Sequence, residues 1–265
     1  PPRSTLFPYT TLFRSAFKAG FNVVISQSND MAAKEISIVQ SMFLNRVDGL
    51  IISIAMQTCT FDHLKLFRKK HIPLVFFDRA VPEIETDKIV VDDFFGGFRV
   101  TQHLIDQGYK RIAHLAGPLN LTTYQDRKNG YIEALRKNGL EYDEKLVIIN
   151  TLTSDEGAPA IEQLMNLPDP PDAIFCGNDT TALSVMIYLR EKGVRIPEDV
   201  GIVGFSNEPF SKVVSPSIST IAQPGFAMGQ KAAELIIQKI ENKERTFQTI
   251  VLPTELIVRE SSRRK

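Results

Sequence analysis

The chain has 265 residues, 43% of them hydrophobic and 23% charged, the composition of an ordinary globular protein of one or two domains. Its 31 basic and 31 acidic residues cancel, so these residues are not expected to hold nucleic acid by themselves, which takes clustered Lys and Arg. No run of about 18 apolar residues occurs, so no membrane-spanning helix is predicted, and the opening "TLFPYTTLF" lacks the apolar centre of a signal peptide.

Residues 1–15 differ in character from the rest of the chain. Pro8 interrupts any helix there, "TLF" recurs at 5–7 and 11–13, and the first acidic residue is Asp30. "AFKAG" then reads as the last turn of a helix with Gly20 just past its end. "FNVVIS" (21–26) reads as a strand, followed by a helix near 31–46 with Ala32, Ile36, Val39 and Phe43 on one face. A strand at 49–53, a helix at 62–70 and strands at 73–78 and 88–93 come next. A helix near 94–107 stops at Gly108, and "RIAHLAG" (111–117) is a strand. The alternation goes on with a helix near 124–138 stopping at Gly139, a strand at 146–150, and a helix from Ser154, read as its N-cap, to about 166. A strand at 172–177, a helix near 180–192 stopping at Gly193, and strands at 200–205 and 219–223 follow. The chain closes with a helix near 226–241 and one or two strands in "TIVLPTELIVRE".

Short apolar runs alternating with helices indicate parallel sheets covered on both faces. The strands are too many for one comfortable sheet, so the expected fold is α/β with two doubly wound parallel-sheet lobes. Ligands of such sheets sit beyond the carboxyl ends of the strands. Polar residues gather there: Ser26, Gln27 and Ser28; Asp78 and Arg79; Asn178 and Asp179; Ser206, Asn207 and Glu208; Gln223. Their paired donors and acceptors suit sugar hydroxyls or the edge of a base. For Asn178 or Ser206 taken singly, helix capping is an equal reading.

Nothing points to catalysis. The glycine-rich phosphate and dinucleotide motifs, H-E-x-x-H and G-x-S-x-G are all missing, and "GFSNE" fails the last because Glu208 stands where Gly is needed. The four histidines show no metal-ligand spacing, so no metal and no cofactor are expected. Of the two cysteines, Cys176 lies in the apolar run "AIFCG" and reads as a buried thiol, in keeping with a reducing cytoplasm.

Several stretches together, "RVDGLIIS", "IPLVFFDR", "VVDDFFGGFRVTQHLIDQGYKRIAHLAGP", "PDAIFCGNDTTAL", "GVRIPEDVGIVGFSNEPF" and "SPSISTIAQPGFAMGQKAAELI", resemble the LacI family of bacterial transcription regulators, from about Ala16 to Ser262. The resemblance implies a type I periplasmic-binding-protein fold, two lobes facing a cleft that takes a small effector, commonly a sugar or nucleoside-like metabolite. It implies a first lobe of residues 16–118 and 224–244 and a second of 119–223 and 245–262. It also implies a cytoplasmic homodimer that reaches operator DNA only through a helix-turn-helix head not readable in this chain. Carried over, the effector contacts are Asp78, Thr123, Arg127, Asn178, Ser206 and Gln223. Ser206 stands where the family has an aspartate, and Glu208 is the residue that could compensate. Against the family, residues 1–15 read as a non-native scar making few contacts, with the first strand of the first lobe missing. The alternative reading is a sugar-binding protein of a transporter, which shares the fold.

Overall fold

The computed structural model describes residues 16–242 and 246–264, so the expected scar at 1–15 lies outside the described residues. The chain divides into two compact units. Residues up to Val91, 120–122 and 224–252 belong to the first, and residues 92–119, 123–223 and 253 onward to the second.

In the first unit, α1 (Ala32–Leu44), β1 (Leu50–Ile52), α2 (Asp62–Lys69), β2 (Leu74–Phe77) and β3 (Asp87–Val91) follow in order, and α7 (Gly225–Asn242) and β9 (Thr249–Leu252) return late in the chain. The sheet runs β1-β2-β3-β9, all parallel. Val75, Ile89 and Val91 pack under Met228, Ala232, Leu235 and Ile236 of α7. Glu35 of α1 is buried and accepts the Ala55 amide (2.5 Å) and the Thr58 hydroxyl (2.9 Å), and pairs with His63 Nε2 (2.9 Å), tying the loop after β1 and the start of α2 to α1. Residues 16–18 are helical and Gly20 has φ +80°, as "AFKAG" predicts.

The expected strand at 21–26 does not form. The sheet ends at β1, and 21–26 stays outside its ladders. A cavity of about 600 Å³ is lined by Val24 and Ile25 of this segment, Ile38 and Met42 of α1, residues 50–52 of β1, and Ile236 and Ile240 of α7. An apolar run becomes a strand only where a neighbour supplies ladder hydrogen bonds, and among the described residues 21–26 pairs with no strand.

The second unit contains α3 (Asp93–Asp106), β4 (Ile112–Ala116), α4 (Thr122–Lys137, its first residue assigned to the other unit), β5 (Val147–Ile149), α5 (Ser154–Met165), β6 (Ala173–Cys176), α6 (Asp179–Glu191), β7 (Gly201–Ser206), β8 (Ser219–Ala222) and β10 (Glu255–Ile257). Its sheet runs β10-β8-β7-β6-β4-β5, parallel except for β10. Side chains alternate between two cores. Ile174, Cys176 and Ile202 pack against Ile161, Val185 and Leu189 on one face, and Phe175, Val203 and Phe205 against Val100, Leu104 and Tyr131 on the other.

The unit boundaries therefore differ from the expected ones. Helix α3 and strand β4, placed by the resemblance in the first lobe, belong to the second unit, because Val100, Leu104 and Ile112 bury in its core. Strand β9, expected in the second lobe, pairs with β3 in the first unit. Helix α5 begins at Ser154 after Thr153 as N-cap, so Ser154 is inside the helix. Gly108, Gly139 and Gly193 take φ +87°, +67° and +74° at the predicted helix stops.

Candidate functional site

The carboxyl ends of the second unit's strands gather most of the expected site. Helix α4 passes α3 at very short range: a Cβ on Gly97 would stand 2.2 Å from the Arg127 carbonyl oxygen, and one on Gly130 would stand 2.0 Å from that of Phe94. Only glycines permit this approach, and it brings Arg127 of α4 against Asp93, the first residue of α3. Arg127 is buried, and its Nε donates to Asp93 Oδ1 at 2.8 Å. Its Nη1 donates to the Gly177 carbonyl at 2.8 Å, just after β6. The guanidinium lies 3.6 Å from the centre of the Phe205 ring and 5.4 Å from that of Tyr124, a cation–π arrangement. Nη2 makes no bond among the described residues, which leaves one edge of the donor fork unspent. The carboxylate that Arg127 pairs with is that of Asp93, which is distant in sequence.

Asn178 is the N-cap of α6. Its Oδ1 accepts the Thr181 amide and its Nδ2 donates to the Leu152 carbonyl, both at 2.8 Å. The cap and the Leu152 bond account for two of the four hydrogen bonds an amide side chain can make. Ser206 ends β7 with φ +115°, and Asn207 follows at +56°. Because Arg127 touches both Gly177 and Phe205, the structure brings Arg127, Asn178 and Ser206 to the adjoining ends of β6 and β7. Thr123 is buried one helical turn before Arg127, and Gln223 is half-buried immediately after β8.

Asp78 belongs to the first unit, directly after β2, with φ +58°. Its carboxylate lies 3.8 Å from Arg79 Nε, and Arg79 Nη1 donates to Asp30 at 2.6 Å. Eight non-glycine residues among those described have positive φ. Asp78, Leu152, Ser206 and Asn207 are four of them, all at or shortly after strand ends, and strain of this kind collects at ligand sites.

Sequence reasoning missed Asp93, Phe205 and Tyr124, and it placed Asp179 at a strand end without giving it a role. "DD" at 92–93 carried a signal, since a helix start needs only one cap. Asp92 is that cap, accepting the Phe95 amide at 2.9 Å, and Asp93 is left for Arg127. Asp126, near Asp92, is raised above the usual carboxylate range by burial and by that neighbouring charge. Burial also pushes Asp179 up to about 6. No group of three His, Cys, Asp or Glu among the described residues is placed to hold a metal ion, and no described helix is long and apolar enough to cross a membrane.

Residues 101–262 match the family model for a periplasmic binding protein-like domain. The chain is 29% identical over 245 residues to the HTH-type transcriptional repressor PurR of Vibrio atlanticus, covering 92% of this chain and 72% of that one. It is 30% identical over 249 residues to PurR of Actinobacillus pleuropneumoniae, covering 93% and 74%. Among solved structures, the transcriptional regulator CelR–cellobiose complex superposes with a TM-score of 0.85 at 30% identity, over 96% of this chain and 78% of that one.

Proposed function

This chain belongs to the LacI family of transcriptional regulators, and from that premise we propose that it takes a small polar effector, a sugar or nucleoside-like metabolite, at the strand ends where Arg127 of α4 meets Asn178 and Ser206. Thr123 and Gln223 complete the proposed contacts of the second unit. The observation that carries the reading is the state of Arg127: buried, stacked on Phe205, fixed through two nitrogens, and keeping a third to donate. A guanidinium fixed in this way costs little further entropy when it binds hydroxyls or a carbonyl, and the Phe205 and Tyr124 rings offer an apolar surface beside it. The solved relative with cellobiose supports a sugar, and the PurR relatives support transcriptional control over the transporter alternative.

The effector state would pass to a helix-turn-helix head of the kind that the relatives' names declare. A homodimer in the bacterial cytoplasm without catalysis is part of the same proposal. The test is calorimetric titration of a panel of sugars and nucleosides. A binder should lose about tenfold or more in affinity in Arg127→Lys, which keeps the charge and loses the fork. Equal affinity in the variant would remove Arg127 from the site.

A further inference from the structure

Asp179, the first residue of α6, is wholly buried. Its Oδ2 accepts the Glu208 amide at 2.7 Å, and its Oδ1 accepts the Thr220 hydroxyl at 2.6 Å. Thr220 Oγ1 in turn accepts the Asn207 amide at 3.2 Å. Strand β7 packs so tightly here that a Cβ on Gly204 would stand 2.1 Å from Asp179 Oδ1. On the other side, Arg259 Nη2 donates to Asn207 Oδ1 at 2.7 Å, Arg259 Nη1 donates to Ser211 Oγ at 3.0 Å, and Ser211 Oγ donates to the Glu208 carbonyl at 2.7 Å. These bonds hold a backbone that resists its own conformation, since Ser206 and Asn207 are consecutive non-glycine residues at φ +115° and +56°. Such backbone persists only where its surroundings over-determine it.

Resting on the reading of the second unit's strand ends as an effector site, we propose that Asp179 is a positioning residue for effector binding: its ionised carboxylate holds residues 206–208 in the turn that presents the end of β7, and protonation slackens that hold. Charge-assisted bonds are about twice as strong as neutral ones, so the neutral acid keeps the geometry with less force. The groups facing the carboxylate are Glu208 in the loop, Arg259 in the C-terminal segment and the Cys176 thiol on β6. Burial outweighs Arg259, Thr220 and the Glu208 amide and lifts Asp179 to about 6, just below neutrality. Asn at 179 stands in for the permanently neutral acid.

The experiment tracks the backbone amides of Asn207 and Glu208 by NMR in the isotope-labelled full chain, from about pH 5 to about pH 8, in wild type and Asp179→Asn. Calorimetric titrations of a sugar or nucleoside found to bind run at both ends of that range. Both amides should shift with a midpoint near 6 in wild type and stay flat in the variant. Wild-type affinity should fall about tenfold from the high end to the low end, and the variant should be weak at both. Static amides, the same titration in the variant, or affinity that ignores a titrating loop would each overturn the proposal. A panel with no binder at either pH overturns the effector reading itself, while the amides still decide whether Asp179 holds the loop. Where the variant folds poorly, the wild-type titration and its affinity profile carry the decision.

Discussion

At the scale of single residues, Arg127 changes meaning once its surroundings are known. An arginine on an open surface could be removed at little cost to folding. Here both partners of the Arg127–Asp93 pair have side chains only 5% exposed, so truncating the arginine takes a charge-assisted bond from a buried carboxylate and a second bond from the Gly177 carbonyl. Arg127→Ala should therefore cost about 3–5 kcal/mol of stability as well as ligand affinity. An apolar pair, Arg127→Met with Asp93→Leu, should recover much of the stability and none of the affinity. Urea denaturation beside calorimetric binding separates the two; an Arg127→Ala protein as stable as wild type would mean that the pair carries no structural weight.

Two buried groups of the second unit give stability opposite slopes with pH. His114 stacks 4.2 Å from Phe175 and its Nδ1 bonds the Phe175 carbonyl, and burial lowers it to about 4. The unfolded chain binds that proton first, so stability falls as pH drops from about 6.5 to about 4. Asp179 is raised to about 6, so the folded state binds its proton first; its contribution is present below the unfolded value and lost as pH rises through about 6. Each effect is about 3 kcal/mol, and they roughly cancel. In Asp179→Asn only the histidine slope remains. Denaturation midpoints should then show the variant gaining on wild type above about pH 6 and steepening its loss on acidification. Parallel pH profiles would refute this assignment. An ionised buried carboxylate that lowers stability at neutral pH is what a positioning role predicts, since function and stability often trade against each other.

At the scale of elements, the sequence was readable wherever local pattern and burial agree. Strands such as "AIFCG" are buried on both faces and appear as unbroken apolar runs, and α3, α4 and α6 end at glycines in the left-handed region. Segment 21–26 carries the same apolar signal but stays outside the sheet, because strand formation is a relation between segments rather than a property of one. The unit boundary failed for a related reason. Nothing in "VVDDFFGGFRVTQHL" says which sheet Val100 and Leu104 will cover, and Gly97 with Gly130 settles it by letting α3 lie against α4. In the site, residue types after strands were legible, whereas partners distant in sequence, Asp93 for Arg127 and Thr220 for Asp179, were not.

At the scale of the whole molecule, the chain leaves the first unit at 91/92, touches it again over 120–122, returns at 223/224 and leaves at 252/253. Neither unit is a continuous piece of chain, and the second is finished by its last residues. Strand β10 pairs antiparallel with β8. Beyond it, the Arg259 amide bonds Ser219 Oγ at 2.7 Å, Ser261 Oγ donates to the Ile202 carbonyl at 2.6 Å, and Ser262 Oγ meets both Ser219 Oγ at 2.6 Å and His103 Nε2 at 2.8 Å. Ending the chain after Leu252 would strip these partners from buried hydroxyls and expose the edge of β8. Cys176 reports on the loss, because it is free, wholly buried in β6, and reachable only when the second unit opens. In a Cys59→Ser background, which removes the exposed thiol, truncation after Leu252 should speed Cys176 labelling by about tenfold or more under native conditions. Unchanged labelling would mean that the second unit is complete without its C-terminal segment, and that the serine and arginine contacts there only tether a tail.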